Sequence, residues 1–305
     1  MRISRNWSRF AVLLTLMALI GAACSSKTKS PTSSKPTITV GSANFAESIT
    51  LAEIYAQALQ AKGYKVVTKE NAGTREIYEP ALEQGTLSFI PDYLNSMLEF
   101  LKGTGSADVQ TDVTAIAPLL AAKGLVALDP APAQNRNEFA VTKATADRYH
   151  LTKISDLKSV ADRLVLGGPP ECPTRPLCEK GLQDTYGLHF KSFKALDVGG
   201  PLTVAALKTG KIDVGLLFTT DVSFVIDNFV RLDDDKKLQG ADNVVPIVRN
   251  DIVTAYGDAF KTLVNSISAK LTTDEVLQLD KAVLVDKKDS KDVAHAWLLK
   301  EGFIS

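Results

Sequence analysis

The stretch ALEQGTLSFIPDYLNS, Ala81 to Ser96, decides the fold. It reads as a helix end, a glycine stop, a strand and a polar turn. Gly85 can take the left-handed conformation that closes a helix. Leu87, Phe89 and their neighbours then form a short apolar run suited to a strand. Pro91-Asp92 is expected to end that strand, leaving Tyr93, Asn95 and Ser96 at its carboxyl end. About 125 residues later ALKTGKIDVGLLFTTD, Ala206 to Asp221, repeats the Ala-Leu-x-x-Gly-x-(Leu/Ile) opening and again ends in polar groups. In α/β sheets ligands bind outside the carboxyl ends of strands. Two such ends predict two lobes with a ligand between them.

The repeat extends upstream. Thr37 to Gly41, TITVG, is a strand running into a glycine turn, and Leu164 to Gly168, LVLGG, is its counterpart. A helix is expected near Glu47 to Lys62 after the first, and a shorter one near Cys178 to Tyr186 after the second. Lys65 to Lys69, KVVTK, is a second strand ending at Asn71-Ala72-Gly73-Thr74, and Phe190 to Asp197 ends likewise at Gly199-Gly200. Each half thus reads strand, helix, strand, helix, strand. That order favours parallel strands joined by right-handed helical crossovers. The fold class expected is α/β, each lobe a mainly parallel sheet flanked by helices.

Pro130 to Asn137, PAPAQNRN, is extended and polar, and reads as a crossing between lobes. Asn243 to Arg249, NVVPIVR, reads as the return crossing. Lobe 1 would then comprise 37–137 plus 250–305, and lobe 2 would comprise 138–249. Ala259 to Ala269, Thr273 to Val283 and Ser290 to Glu301 read as C-terminal helices. Thr272 is placed to cap the second of them, with Asp274 and Glu275 in its first turn.

The chain has 305 residues, long enough for two domains, and 35 basic residues balance 35 acidic ones. No basic face is implied, which argues against a nucleic-acid partner. Arg2, Arg5 and Arg9 precede the apolar run Phe10 to Ile20, followed by Gly21-Ala22-Ala23-Cys24. A basic start, a short apolar core and small residues at a cut site make an export signal over residues 1–23. Residues 24–36, rich in Ser and Lys, read as a flexible tether. Cys172 and Cys178, in ECPTRPLC, close a Pro-rich loop, and in an oxidising compartment such a pair is expected to be a disulfide. His150, His189 and His295 are scattered, and no phosphate loop, nucleophile elbow or zinc helix motif is present. No cofactor, metal or enzymatic activity is therefore expected.

At this point the chain resembles the osmoprotectant-binding proteins of bacterial ABC importers, the glycine betaine, choline and carnitine binders. The resemblance runs from Ile38 to Phe303. Its marks are VGSANFAES (Val40 to Ser48), LAEIYAQAL (Leu51 to Leu59), ALEQGTLSFIPDYLNS, ISDL (Ile154 to Leu157), GGPPECPTRP (Gly167 to Pro176), ALKTGKIDVGLLFTTD and VPIVR (Val245 to Arg249). Cys24 after its small residues resembles a lipobox, with Gly21 where Leu is usual. The resemblance implies a two-lobed, type II periplasmic-binding-protein fold that closes on a small molecule. It also implies a lipid anchor at Cys24 on the outer face of the cytoplasmic membrane, permease and ATPase partner subunits, and a monomer.

In that family aromatic faces, mostly Tyr, box a trimethylammonium head, because the negative ring face attracts a cation that has no hydrogen to donate. Matched by position, Tyr93 keeps its Tyr, while Phe139 and Phe218 stand where Tyr is usual and Asp242 where a fourth aromatic is usual. The alternative for each Phe is an ordinary core position. Asp242 either attracts a cation directly or is a solvated loop residue. The family's carboxylate subsite implies roles for Arg175 and Ser96, but Ala43 replaces its Lys or amide. Asn137 falls where a backbone carbonyl completes the box, and Thr74 joins the candidate set from the end of the second strand. A larger or less zwitterionic ligand than glycine betaine fits these departures. Two other functions compete: an enzyme or sensor on the same fold, with Asp221 and Arg175 as its best titratable pair, and an envelope scaffold with a vestigial site.

Overall fold

A computed structural model describes residues 35–305. The expected export signal, most of the expected tether and Cys24 lie outside the described residues. Two five-stranded sheets organise the chain. In the first, β1 (Ile38–Gly41) lies between β2 (Val66–Lys69) and β3 (Phe89–Tyr93), and β10 (Val244–Arg249) separates β3 from β4 (Leu125–Ala127). In the second, β6 (Val165–Gly168) lies between β7 (Ser192–Ala195) and β8 (Val214–Phe218), and β5 (Asn137–Val141) separates β8 from β9 (Val230–Arg231). The two orders are topologically the same. Within each sheet, all pairs are parallel except those made by one strand, β10 in the first and β5 in the second. These are the strands by which the chain arrives from the other sheet.

The crossing segments pair with each other. Asn135 N donates to Asp242 O at 2.9 Å, Val244 N to Ala133 O at 3.0 Å and Ala131 N to Val244 O at 2.8 Å. Val244–Arg249 is therefore no crossing, and the sequence-based division at residue 249 is displaced: these residues are a central strand of the first sheet. The reason lies in the run itself. VVPIVR is buried from Val244 to Val248, and a continuous apolar run of this kind needs cover on both faces, which an exposed crossing does not give.

Pro91-Asp92 does not end its strand either, because β3 continues through Tyr93. Pro91 sits opposite Pro246 of antiparallel β10, and the bond from Leu94 N to Asn243 O sets the phase of that ladder. Counting from it, the two prolines form a non-hydrogen-bonded pair, so neither needs an N–H toward the other. The glycine stop and the strand after it are where they were expected, but a helix takes the place of the expected polar turn. Gly85 has φ +78° and closes the helix α2 (Arg75–Glu83), and α3 (Leu94–Phe100) begins directly after Tyr93. Buried apolar clusters line both faces of each sheet. α1 (Ala46–Ala61) and the C-terminal helices cover one face of the first sheet, where Tyr55, Phe89 and Phe260 meet. Thr272 accepts a bond from Glu275 N at 3.2 Å, the expected cap of the helix Thr273–Leu284.

Candidate functional site

The carboxyl ends of β3 and β8 face one cleft, lined from the first lobe by Ala43, Phe45, Thr74, Arg75, Tyr93, Ser96 and Asp242. Asn137, Arg175, Pro176, Leu177 and Phe218 line it from the second lobe. Of the expected site residues only Phe139 is missing from the lining. It is 1% exposed and packs in the second-lobe core with Leu166, Leu216 and Cys172. Phe139 lies two residues along β5 from Asn137, so both point to the same side of the strand. Asn137 at the strand's start reaches the cleft, and the core closes over Phe139. The core alternative is the correct one.

The ring that the sequence reading passed over is Phe45. It stacks on Tyr93 at 6.1 Å between centroids and on Phe218 at 5.9 Å, with interplanar angles of 26° and 19°. One stack of three rings thus joins the two lobes. Phe45 sits just before α1 in extended backbone and gives that helix no side-chain cap, so its side chain is free to serve the cleft. Gly199, at φ +62°, makes room for the stack: a Cβ there would lie 2.7 Å from the Phe218 ring.

Glu47, in the first turn of α1, does more than complement the helix dipole. Its buried carboxylate accepts from Tyr93 Oη, from Asn135 Nδ2 at 2.8 Å and from Thr220 Oγ1 at 2.7 Å. The donors come from the first lobe, the crossing and the second lobe, so one charge fixes all three. Burial, reinforced by Glu47, holds the Tyr93 hydroxyl well above the ordinary tyrosine range and keeps it neutral.

The cleft's cations are already paired. Arg75 reaches Asp92 through two nitrogens at 2.6–3.2 Å, and Tyr78 Oη donates to the same carboxylate at 2.8 Å. Burial opposes the Arg75 charge, but Asp92 beside it outweighs that and holds its pKa above the ordinary arginine value. Arg175 spans the cleft to Glu76 of α2 at 2.8 and 3.0 Å, approaches Glu171 at 3.9 Å and lies over the Phe100 ring. Thr74 Oγ1 donates to Glu76 at 2.6 Å. Ala43 presents only a methyl group, and its backbone N–H goes to Ser48 Oγ at 2.8 Å.

Asp242 is no solvated loop residue. It is 4% exposed and accepts from Ser96 N at 2.9 Å and from Ser96 Oγ. Burial pushes its carboxyl up to about 6, with the Ser96 bonds and Arg75 pulling the other way. Ser96 is therefore spent on Asp242. Asn137 Nδ2 donates to Leu177 O at 2.9 Å, which ties β5 to the loop closed by the Cys172–Cys178 disulfide. Apart from Phe45 and Glu47, sequence reasoning also missed the Arg75–Asp92–Tyr78 triad. The signal for Phe45 was an aromatic in the turn between a strand and a helix, at the end where ligands bind. Asp92 was visible as an acid inside an apolar strand.

The family model for the substrate-binding domain of the ABC-type glycine betaine transport system, OpuAC, matches residues 36–300. The chain belongs to this family. Among OpuAC-type relatives, the glycine betaine-binding protein YehZ of Escherichia coli is 24% identical over 99% of both chains. The carnitine transport binding protein OpuCC of Listeria monocytogenes is 25% identical over 96% of both. A crystal structure described as a glycine betaine/carnitine/choline ABC transporter superposes with a TM-score of 0.68 at 24% identity, covering 88% of this chain and all of the other. A lactococcal OpuAC in its closed, glycine betaine-bound conformation superposes with a TM-score of 0.64 at 17% identity, over 88% and 97%. Those likenesses show the two-lobed type II periplasmic-binding-protein fold. The chain is an extracytoplasmic substrate-binding protein of an osmoprotectant-type ABC transporter. Among the described residues no helix is long and apolar enough to cross a membrane.

Proposed function

We propose that the cleft captures a compact quaternary ammonium cation without a carboxylate, such as choline. The observation that carries this reading is the stack of Phe45, Tyr93 and Phe218 beside paired carboxylates. Ring faces attract a cation that cannot donate hydrogen bonds, each by roughly 0.5–2 kcal/mol. Asp92, Glu99, Glu171 and Asp242 outnumber Arg75 and Arg175 around the cleft. Both arginines are engaged, and Ala43 offers no third cation. A zwitterion's carboxylate would have to take Arg175 from Glu76. YehZ is named for glycine betaine and OpuCC for carnitine, so the proposed preference departs from both.

The same reading makes the chain a delivery protein and not an enzyme. Asp221 and Arg175, the best catalytic pair the sequence offers, line different spaces. Cys24 would hold a monomeric head to the outer face of the cytoplasmic membrane, near its permease and ATPase. Two acyl chains anchor firmly, at about 0.8 kcal/mol per buried methylene. Cell fractionation of Cys24→Ser tests the anchor: unchanged membrane association rejects it. Calorimetric titration with choline and glycine betaine tests the ligand class. Choline should bind tighter, and equal or tighter betaine binding rejects the proposed preference.

A further inference from the structure

Beyond the ring stack lies a second chamber of about 410 Å³, also bounded by both lobes. Phe45 and Phe218 line this chamber and the cleft alike, so the stacked pair is a shared wall. The chamber's other lining includes Glu47, Asp197, Asp221 and Asp280, and among the described residues no Lys or Arg. These carboxylates differ in what they already hold. Asp197 is consumed by the start of the helix Pro201–Lys208, taking bonds from Leu202 N and Thr203 N, both at 2.9 Å. Glu47 is saturated by Tyr93, Asn135 and Thr220. Among the described residues Asp221 is bonded through Oδ1 alone, by Ser223 N at 2.8 Å and by Ser223 Oγ. Asp280, on the helix Thr273–Leu284, is 4% exposed, and its Oδ1 has no hydrogen-bond partner among the described residues.

A buried acceptor without a donor is costly, and native proteins leave few of them. Burial and the nearby Glu47 charge also hold the Asp280 carboxyl well above its usual range. A cation carrying N–H groups supplies the missing donor and favours the ionised carboxylate against the burial and the Glu47 charge. A metal ion is disfavoured, because no three carboxylates among the described residues are arranged to hold one. A quaternary ammonium has no hydrogen to give. A primary ammonium has three donors and suits acceptors converging from different elements. Its charge also suits the faces of Phe45 and Phe218.

We propose that this chamber is a second ligand site, taking a small primary ammonium cation between Asp280, Asp221 and the Phe45–Phe218 wall. The site shares the Phe45–Phe218 wall with the cleft, but its carboxylates Asp280 and Asp221 line the chamber alone, so it stands whether or not the cleft takes a quaternary ammonium. The test is an amide chemical-shift titration of the whole head with ethanolamine, and separately with tetramethylammonium, at neutral pH. Gly200, Leu284 and Ser290 line the chamber alone and report it, and Ser96 and Arg175 report the cleft. Ethanolamine should shift the chamber signals saturably and tetramethylammonium should not. Asp280→Asn, which keeps the shape, should weaken ethanolamine by about tenfold. Should that variant fold poorly, Asp221→Asn, on the other lobe, gives the same comparison. Chamber signals that stay still at millimolar ethanolamine, or that follow both cations equally, overturn the proposal. So does an affinity that survives both substitutions.

Discussion

Replacing Asp242 by Asn tests the electrostatics of the cleft most sharply. Burial lifts this carboxyl from 3.8 to about 6. A group whose folded pKa is raised contributes stability below its unfolded pKa and loses it as pH rises through the folded one. The window here runs from about pH 4 to about pH 6.5. At about 1.4 kcal/mol per tenfold change in proton affinity, full ionisation costs the fold on the order of 3 kcal/mol. Asn keeps the oxygen that accepts from Ser96 N, and the Ser96 hydroxyl can turn to accept from the new amide. The variant should therefore match the wild type near pH 4 and exceed its stability by about 2–3 kcal/mol at pH 7.5. Urea unfolding at the two pH values measures this difference directly. A bound cation favours the ionised carboxylate, so wild-type choline affinity should rise about tenfold between pH 5 and pH 7.5. The affinity of Asp242→Asn should be weaker and flat. A pH-independent choline affinity in the wild type, or a variant with the wild-type stability profile, would refute the placement of Asp242 as a buried charge facing the ligand.

Other substitutions probe the parts around it. Phe45→Ala removes the middle ring, and should weaken choline by roughly 2–30-fold in calorimetry; an unchanged affinity removes Phe45 from the site. Glu76→Gln loosens the half-exposed contact with Arg175 by only about 0.2–1 kcal/mol, so small-angle scattering should show a modest shift toward an open apo form, with stability almost unaltered. A shift in stability of several kcal/mol would show that the pair does more than bias closure. Replacing Cys172 and Cys178 together by Ser should cost near the low end of about 2–4 kcal/mol, since the loop is short, and should weaken ligand binding through Arg175. Wild-type melting and affinity in the double variant would show that the loop holds its form without the bond.

The duplicated plan was legible because glycine stops and short apolar runs have local causes. Gly85 and the apolar strand after it could be read from sixteen residues in isolation, whereas the expected polar turn is the first turn of α3, which holds Asn95 and Ser96. The matching topology of the two sheets was visible as a repeated phrase. The role of Val244–Arg249 was not, because an apolar extended run looks alike in a crossing and in a central strand; only its neighbours decide. Phe139 and Phe218 looked equivalent for a related reason. Each sits in a strand near the crossing, and which of them reaches the cleft depends on how far along its strand the core closes. Glu47 was readable only as a helix-dipole residue, since its three donors come from Tyr93, Asn135 and Thr220, up to 173 residues away. The pairing of Arg175 with Glu76 likewise spans the two lobes and leaves no trace in local spacing.

Phe45, Tyr93 and Phe218 together make one cation-attracting wall in a cleft shared by both lobes. A crystal structure of the head grown with choline tests it most directly. The trimethylammonium group should lie against those rings, with Asp242 nearby and Arg175 still paired with Glu76. Choline bound elsewhere, or a cleft in which the three rings turn away from the ligand, would contradict it.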